Sequence, residues 1–509
     1  MSKLLFKCDD NWTEAILKRA WEEIERVARE ELKADYYEPE IQIVSAKQML
    51  NSYTSVGMPI YYNHWSFGKE FVNSEKAYKK GHMNLAYELV INSDPCVAYL
   101  MEENDALIQT LVMAHASVGH SAVFKNNFLF KDKTDATAIV DYLSFAKKYV
   151  KMCEEKYGAA EVEVVIDACH AIMRYGVDKY KKPRKLSPAQ EETRALQKFE
   201  QELQDYDHVW EKIGKRRKPE QAKRDESYML SDPEENLLYF LEKQAPHLAG
   251  WKREIIRIVR TIAQYFSPQR PTQVVNEGYA TFCHYYIINR LHDKGLIDGG
   301  SMIEFFSVHN NVVAQRRLSW FNPYKLGFSI FMDIKRMCES PTDEDRLYFP
   351  DLVGQNWIEQ VNYAMANFKD ETFILQYLSP KVARDLRMFA FNDPSLYSPV
   401  LTVTEISNER SFRELRAKLA AQYAVENQTP DIQITGVDSK GSRKLLLEHF
   451  VKRNARPLNL QDAKKVVKYV ADLWEYSVSL KTINYTDEGD LETVNISELG
   501  KYSRSLAGA

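Results

Sequence analysis

The chain of 509 residues lacks several things, and each shortage removes a class of function. Its six cysteines, Cys8, Cys96, Cys153, Cys169, Cys283 and Cys338, form no CxxC pair. That argues against a zinc ribbon or a disulfide scaffold, and reduced thiols are expected. There is no GxGxxG, GxxxxGK(S/T) or GxSxG, so dinucleotide, P-loop and serine-hydrolase chemistry have no starting motif. Neither sign of charge prevails. Against 68 lysines and arginines stand 72 aspartates and glutamates, a net −4 at pH 7, which gives no overall pull toward nucleic acid or anionic membrane. No run of about 18 apolar residues is found, and the first ten residues lack the apolar core of a signal peptide. The expectation is a cytoplasmic protein with no membrane span and no nucleic-acid partner.

What is present is a large apolar fraction, 45 % of residues, with 12 % aromatics including 30 tyrosines. That suits a large core that also lines a polar cavity. From Asp10 to Leu32 apolar residues recur at spacings of three and four, which predicts a helix. Tyr37–Val44 reads as extended, and Ser45 with Gln48 has capping-box spacing for a helix over Ala46–Ser52. The aromatic block Gly57–Lys69 has no clean period and predicts an ordered loop, with His64 held by a backbone carbonyl. Residues 97–180 read as successive helices. A charged, apolar-poor excursion covers roughly 180–227, after which the helical pattern returns. Asn322-Pro323 predicts a helix start. From about Pro394 the order is strand, helix, strand, strand, helix, strand, the split pattern of a ferredoxin-like βαββαβ fold. The expected fold class is therefore mainly α: a large helical domain over 1–395 and a small C-terminal α+β module over 396–509.

Two stretches place ligand-type residues inside otherwise apolar helical runs. The first, Leu111–Asn127, carries His115 and His120 among small residues, then Lys125, Asn126 and Asn127. The second, Val274–His284, carries Asn276, Glu277, Tyr279 and His284. Histidine and glutamate are the usual ligands of catalytic zinc, three from the protein with a position left for water. Glu277 and His284, seven apart, share a helix face. His115 and His120, five apart, lie about 140° apart on an ideal helix, so their convergence needs a break or bulge, with Gly119 as its place. The expected site is a divalent transition metal, zinc in particular, held by His115, His120 and Glu277, with His284 or His309 adding to it. A carboxylate-bridged variant would recruit Glu88, a lone acid in the apolar run Asn84–Asn92 that must have a partner. Ala116 stands where HExxH carries its general base, so another group, Glu277 among them, would activate the water. The alternative is a buried polar network without metal. Lys125-Asn126-Asn127 would bind an anionic or sugar-like substrate or cap a helix end. His64, Asn276 and Tyr279 complete the expected pocket.

Four motifs in order, His64-Trp65-Ser66-Phe67-Gly68-Lys69, His115-xxx-Gly119-His120 with Phe124–Asn127, Asn276–Ala280, and Asn322–Gly327, resemble the stage V sporulation protein R (SpoVR) family. Gly441-Ser442-Arg443 and Asn454–Leu458 extend the likeness into the C-terminal module. The resemblance implies a cytosolic protein linked to spore cortex formation in spore formers, working with a serine kinase and a von Willebrand-A-like partner. It brings no agreed reaction. The Asn276–Ala280 stretch is also similar to the third-ligand segment of gluzincin peptidases, which implies a gluzincin-like helical core. The two functional expectations are a metal-dependent hydrolase and a non-catalytic adaptor acting through its C-terminal module.

Overall fold

The computed structural model describes the chain apart from residues 1–3, 9, 55–60, 80–87, 180–232, 316–320, 389, 393–401, 405–408, 439–440, 452–456, 486–490, 502 and 504–509. The charged excursion at 180–227 and the segments 57–60 and 454–456 thus lie outside the described residues. Internal contacts gather the chain into two units: Met1–Asp167 with Thr261–Pro430, and Ala168–Arg260 with Asp431–Ala509. The division differs from the expected boundary at 395. Helix Glu409–Tyr423 packs on helix Asp370–Tyr377 and buries Phe412, Leu419 and Ala420 in the first unit's core, which holds the chain there to residue 430.

The first unit is built around three helices. Ala106–Asn126, the histidine helix, is α-helical to Val112, π-helical over Met113–His120, and α-helical again from Ser121. It is the one described helix long and apolar enough to cross a membrane, and 94 % of its apolar window is buried inside the protein. Burial in a protein core accounts for that composition equally well. Gln273–Asp293, the glutamate helix, packs against it. No side chain adjacent in sequence caps its first turn. Asp370, fully buried, does so from far along the chain, accepting from the Val274 and Val275 amides at 3.0 and 2.9 Å. The third helix, Pro323–Glu339, starts as its sequence predicts, with Asn322 as N-cap and proline in the first turn.

Two crossings bring these helices unusually close. A Cβ on Gly119 would lie 2.4 Å from the Ala280 Cα, and one on Gly278 would lie 2.4 Å from the Gly327 Cα. Gly119 therefore serves the helix crossing, and the bulge spreads over the whole π segment.

A three-stranded sheet lies beside the histidine helix: β1 (Pro39–Val44), β2 (Glu88–Ile91) and β3 (Cys96–Met101), in the order β1-β3-β2. β1 runs parallel to β3, and β2 antiparallel. β3 corrects the expectation of unbroken helices from residue 97, because Cys96, Ala98 and Leu100 alternate inward, a period of two. A second correction is helix Trp65–Lys79, which begins inside the expected loop. The Ser45–Gln48 pair caps helix Ala46–Thr54 as predicted.

The second unit carries the expected strand-containing module, but with a different topology. Its sheet runs β6-β7-β8-β9 (Ile432–Val437, Leu445–His449, Val478–Tyr485, Leu491–Glu498). Only β7 and β8 are parallel, joined through helix Leu460–Trp474. The strand expected to open a ferredoxin-like fold, Thr402–Thr404 (β5), instead pairs with Ala390–Asn392 (β4) in a separate two-stranded sheet. Residues from mid-chain complete the unit. Glu234 bridges to Ile434, and Phe240 packs against Trp474 with ring centroids 5.9 Å apart.

Candidate metal centre

The π segment resolves the phase problem posed by the histidine spacing. Its hydrogen bonds reach five residues back, as from the Ser121 amide to Ala116 O, so side chains five apart stand on one face. His115 and His120 thereby come together, ring centroids 4.7 Å apart and planes perpendicular. Both are buried.

Two carboxylates from other elements close the site. Glu88, the first residue of β2, places Oε1 3.3 Å from His115 Nε2. Glu277 of the glutamate helix places Oε2 3.8 Å from His115 Nε2 and 3.6 Å from His120 Nε2. One ligand-type atom from each of Glu88, His115 and His120 lies within 4.8 Å of the others. Among the described residues Glu88 Oε2 and Glu277 Oε2 are buried without a hydrogen-bond partner, a costly arrangement unless something else meets them.

The far sides of the rings are engaged. The His120 Nδ1–H donates to Asn276 Oδ1 at 2.9 Å, which turns Nε2 toward Glu277. His115 Nδ1 lies 2.9 Å from His284 Nδ1, and His284 Nε2 lies 3.0 Å from His309 Nδ1. When His115 donates, His284 donates onward and His115 Nε2 also carries a lone pair. Burial pushes His115 down to about 4, and His309 likewise with Lys325 adding to the effect. Burial holds His284 well below the ordinary imidazole range, the neighbouring histidines adding to it. The imidazoles of His115, His284 and His309 are therefore neutral at neutral pH, as ligation by His115 requires.

The carboxylates differ. Burial lifts Glu88 well above its ordinary value, and neighbouring Glu277 adds to this. Burial also acts on Glu277, but the facing imidazoles of His120 and His115 and the donated Tyr324 hydroxyl outweigh it and leave that group lowered. The cluster opens on a cavity of about 720 Å³. Leu111, Val112, Phe124, Phe266, Val308 and Val312 form its apolar wall, with Gln269, Arg270 and Gln273 on the polar side.

The structure therefore brings together His115, His120, Glu277, Asn276 and His284 at the cavity, with His309 behind them. The other expected pocket residues are not among those lining it. His64 pairs with Asp167 at 3.0 Å and with Ser66, where a backbone carbonyl was expected. Lys125 and Asn126 tie the histidine helix to Asp35 and Tyr36. Asn127 caps helix Phe128–Lys133 and donates to Met365 O and Phe368 O. The buried Tyr279 hydroxyl donates to Asn362. Sequence reasoning gave Glu88 a lesser place and overlooked Tyr324, which lines the cavity and stacks on His115 with centroids 6.2 Å apart. The signal for Glu88 was one acid in an apolar run; Tyr324 had none beyond its place in the Asn322–Gly327 motif.

These features define a mainly helical protein with a cluster of two buried histidines and two half-buried carboxylates, and a second, strand-containing unit. The chain belongs to the SpoVR family: the model for SpoVR like protein matches residues 11–428, and that for the SpoVR-like C-terminal domain matches 430–485. It is 48 % identical over 487 residues to "Uncharacterized protein YcgB" of Escherichia coli (strain K12), covering 95 % of this chain and 94 % of that protein. No solved structure matches it significantly.

Proposed function

We propose that the protein is a metal-dependent hydrolase whose helical unit holds one divalent transition metal, zinc by preference, on His115, His120 and Glu88. Glu277, expected from sequence as the third ligand, is placed in this reading as the general base. The observation that carries it is the convergence of two imidazole Nε2 atoms with Glu88 Oε1 and the partnerless Glu277 Oε2, while both Nδ1 atoms are engaged behind. That is the pattern of ligating imidazoles fixed by outer partners. Two neutral imidazoles and a carboxylate are a catalytic zinc set, and two carboxylates match a dication in charge. Bound there, the metal supplies Lewis acidity and lowers the pKa of water. With a metal held there, Glu277, whose Oε2 lies 3.6 Å from His120 Nε2, would be the group to take a proton from water, which would answer the alanine at position 116. Tyr324 orients Glu277, and the apolar wall limits bulk water. A cytoplasmic setting without nucleic acid goes with this reading, and the family likeness supports spore cortex formation as its process in spore formers.

Metal analysis of untagged protein against a His115→Ala/His120→Ala variant tests it. About one equivalent in the wild type and none in the variant is expected; negligible metal in both overturns the reading. Glu88→Gln is expected to lose the metal, and Glu277→Gln to keep it while losing function. The competing reading, an adaptor for a serine kinase and a von Willebrand-A-like protein, draws on the separate strand-containing unit. It predicts that function tolerates Glu277→Gln and is lost on removal of residues 400–509.

A further inference from the structure

Three buried rings run in single file away from the cluster. His115 of the histidine helix, His284 of the glutamate helix and His309 of helix Gly299–Val312 are 4 %, 1 % and 4 % exposed. They are joined Nδ1 to Nδ1 at 2.9 Å and Nε2 to Nδ1 at 3.0 Å. Tyr285, Phe305 and Phe328 pack round the last ring, with centroids 5.0, 5.7 and 5.0 Å away, and hold it in place.

A neutral imidazole has one N–H and one lone pair, so a ring that donates at one nitrogen accepts at the other. Both bonds of the file are kept only when its protons all point the same way. Pointing inward, His309 donates to His284, His284 donates to His115, and His115 Nε2 carries an N–H. Pointing outward, His115 donates to His284, His284 donates to His309, and the spare N–H lies on His309 Nε2. The inward arrangement suits the protein without metal. Glu277 Oε2 faces both rings, and His120, whose N–H goes to Asn276, has none to turn toward it, whereas His115 Nε2 at 3.8 Å does. A metal on His115 Nε2 needs the lone pair there, and so the outward arrangement.

We propose, resting on the metal reading above, that His309 is a positioning residue for the metal: through His284 it sets the tautomer of His115, and the file reverses direction when the metal binds. His115 Nε2 gives its proton to water and turns its lone pair to the metal. Each bridging proton shifts to the other nitrogen of its hydrogen bond, and His309 Nε2 takes a proton from water. Three protons are held before and after, so every ring stays neutral.

The test uses full-length protein with isotopically labelled histidine, metal-free and zinc-loaded, in a proton–nitrogen NMR correlation that reads tautomers. The His309 signals are identified by their loss in His309→Gln. His309 is expected to carry its proton on Nδ1 without zinc and on Nε2 with it. In competition with a chromophoric chelator, His309→Leu, which cannot accept from His284, is expected to bind zinc about tenfold more weakly than the wild type. His309→Gln, whose side-chain oxygen can accept, is expected to restore most of that loss. One His309 tautomer in both states overturns the proposal and leaves the metal reading standing. So does an unchanged zinc affinity in His309→Leu, or a loss in His309→Gln as large as in His309→Leu. Should the leucine variant fail to fold, the tautomer comparison in the wild type decides. Protein that takes up no zinc ends the metal reading and this proposal with it, a failure that metal analysis separates from the others.

Discussion

Asn276 Oδ1 accepts the Nδ1–H of His120 at 2.9 Å, one residue before the glutamate that faces the opposite side of the same ring. One turn of the glutamate helix thus fixes the tautomer of His120 and supplies a carboxylate to its lone pair. Removing the outer partner of a ligating imidazole weakens metal binding by about 10- to 100-fold. Asn276→Ala is expected to do so in competition with a chromophoric chelator; unchanged affinity would show that the hydrogen bond does not orient the ring.

Gly278→Ala should destabilise the helical unit. Its Cβ would meet the backbone of Gly327, which cannot rotate aside as a flexible side chain would. Overpacking of this kind costs about 1–3 kcal/mol or more. Gly299→Ala, where nothing lies within 4 Å of the new Cβ, is the control. A clear drop in Tm for the first and none for the second is the expected outcome in thermal unfolding.

The metal-free protein should lose stability with acid because of its buried histidines. His309 falls from 6.5 to about 4 on folding, so between those values the unfolded chain binds a proton that the folded chain refuses. Stability is complete above about 6.5 and declines as pH falls toward 4, by about 3 kcal/mol at most for this group. Urea midpoints at pH 7 and pH 5 should move less in His309→Gln than in the wild type. Equal movement would remove His309 from the account.

Asp370 works in the opposite direction. Burial raises it to about 8 despite the amides it accepts at the head of the glutamate helix. Its folded value lies above the unfolded one, so its contribution is whole below about pH 4 and is lost as pH rises through about 8. Asp370→Asn should therefore unfold more easily at pH 5 but show a shallower loss of stability between pH 5 and pH 8, read again from urea midpoints. A slope identical to the wild type would show that Asp370 does not titrate in this range.

Much of the helical unit was legible because its signals are local. The period of Glu14–Glu30, the Ser45–Gln48 cap and the Asn322-Pro323 start each act within one turn. The short strands were harder. β3 carries its alternation over six residues, and β9 shows it faintly in Val494-Asn495-Ile496-Ser497, so its edge place in the second sheet was not anticipated. The ferredoxin-like order failed for a related reason: local pattern tells that a segment is extended, not which strand it pairs with.

The site divides in the same way. Composition and pattern singled out His115, His120 and Glu277, because polar ligand groups inside apolar helices call for partners. The sequence also placed the obstacle, since five residues on an ideal α-helix turn the two rings apart. Only the tertiary structure decided how that is overcome, through a π segment packed by glycine contacts against the glutamate helix, and which acid meets the rings. Glu88 arrives from β2 across a distance in the chain that no spacing rule spans, and Asp370 caps a helix nearly a hundred residues before it. Local chemistry is written in adjacent residues. The meeting of remote ones is set by close packing, which depends on every neighbour at once.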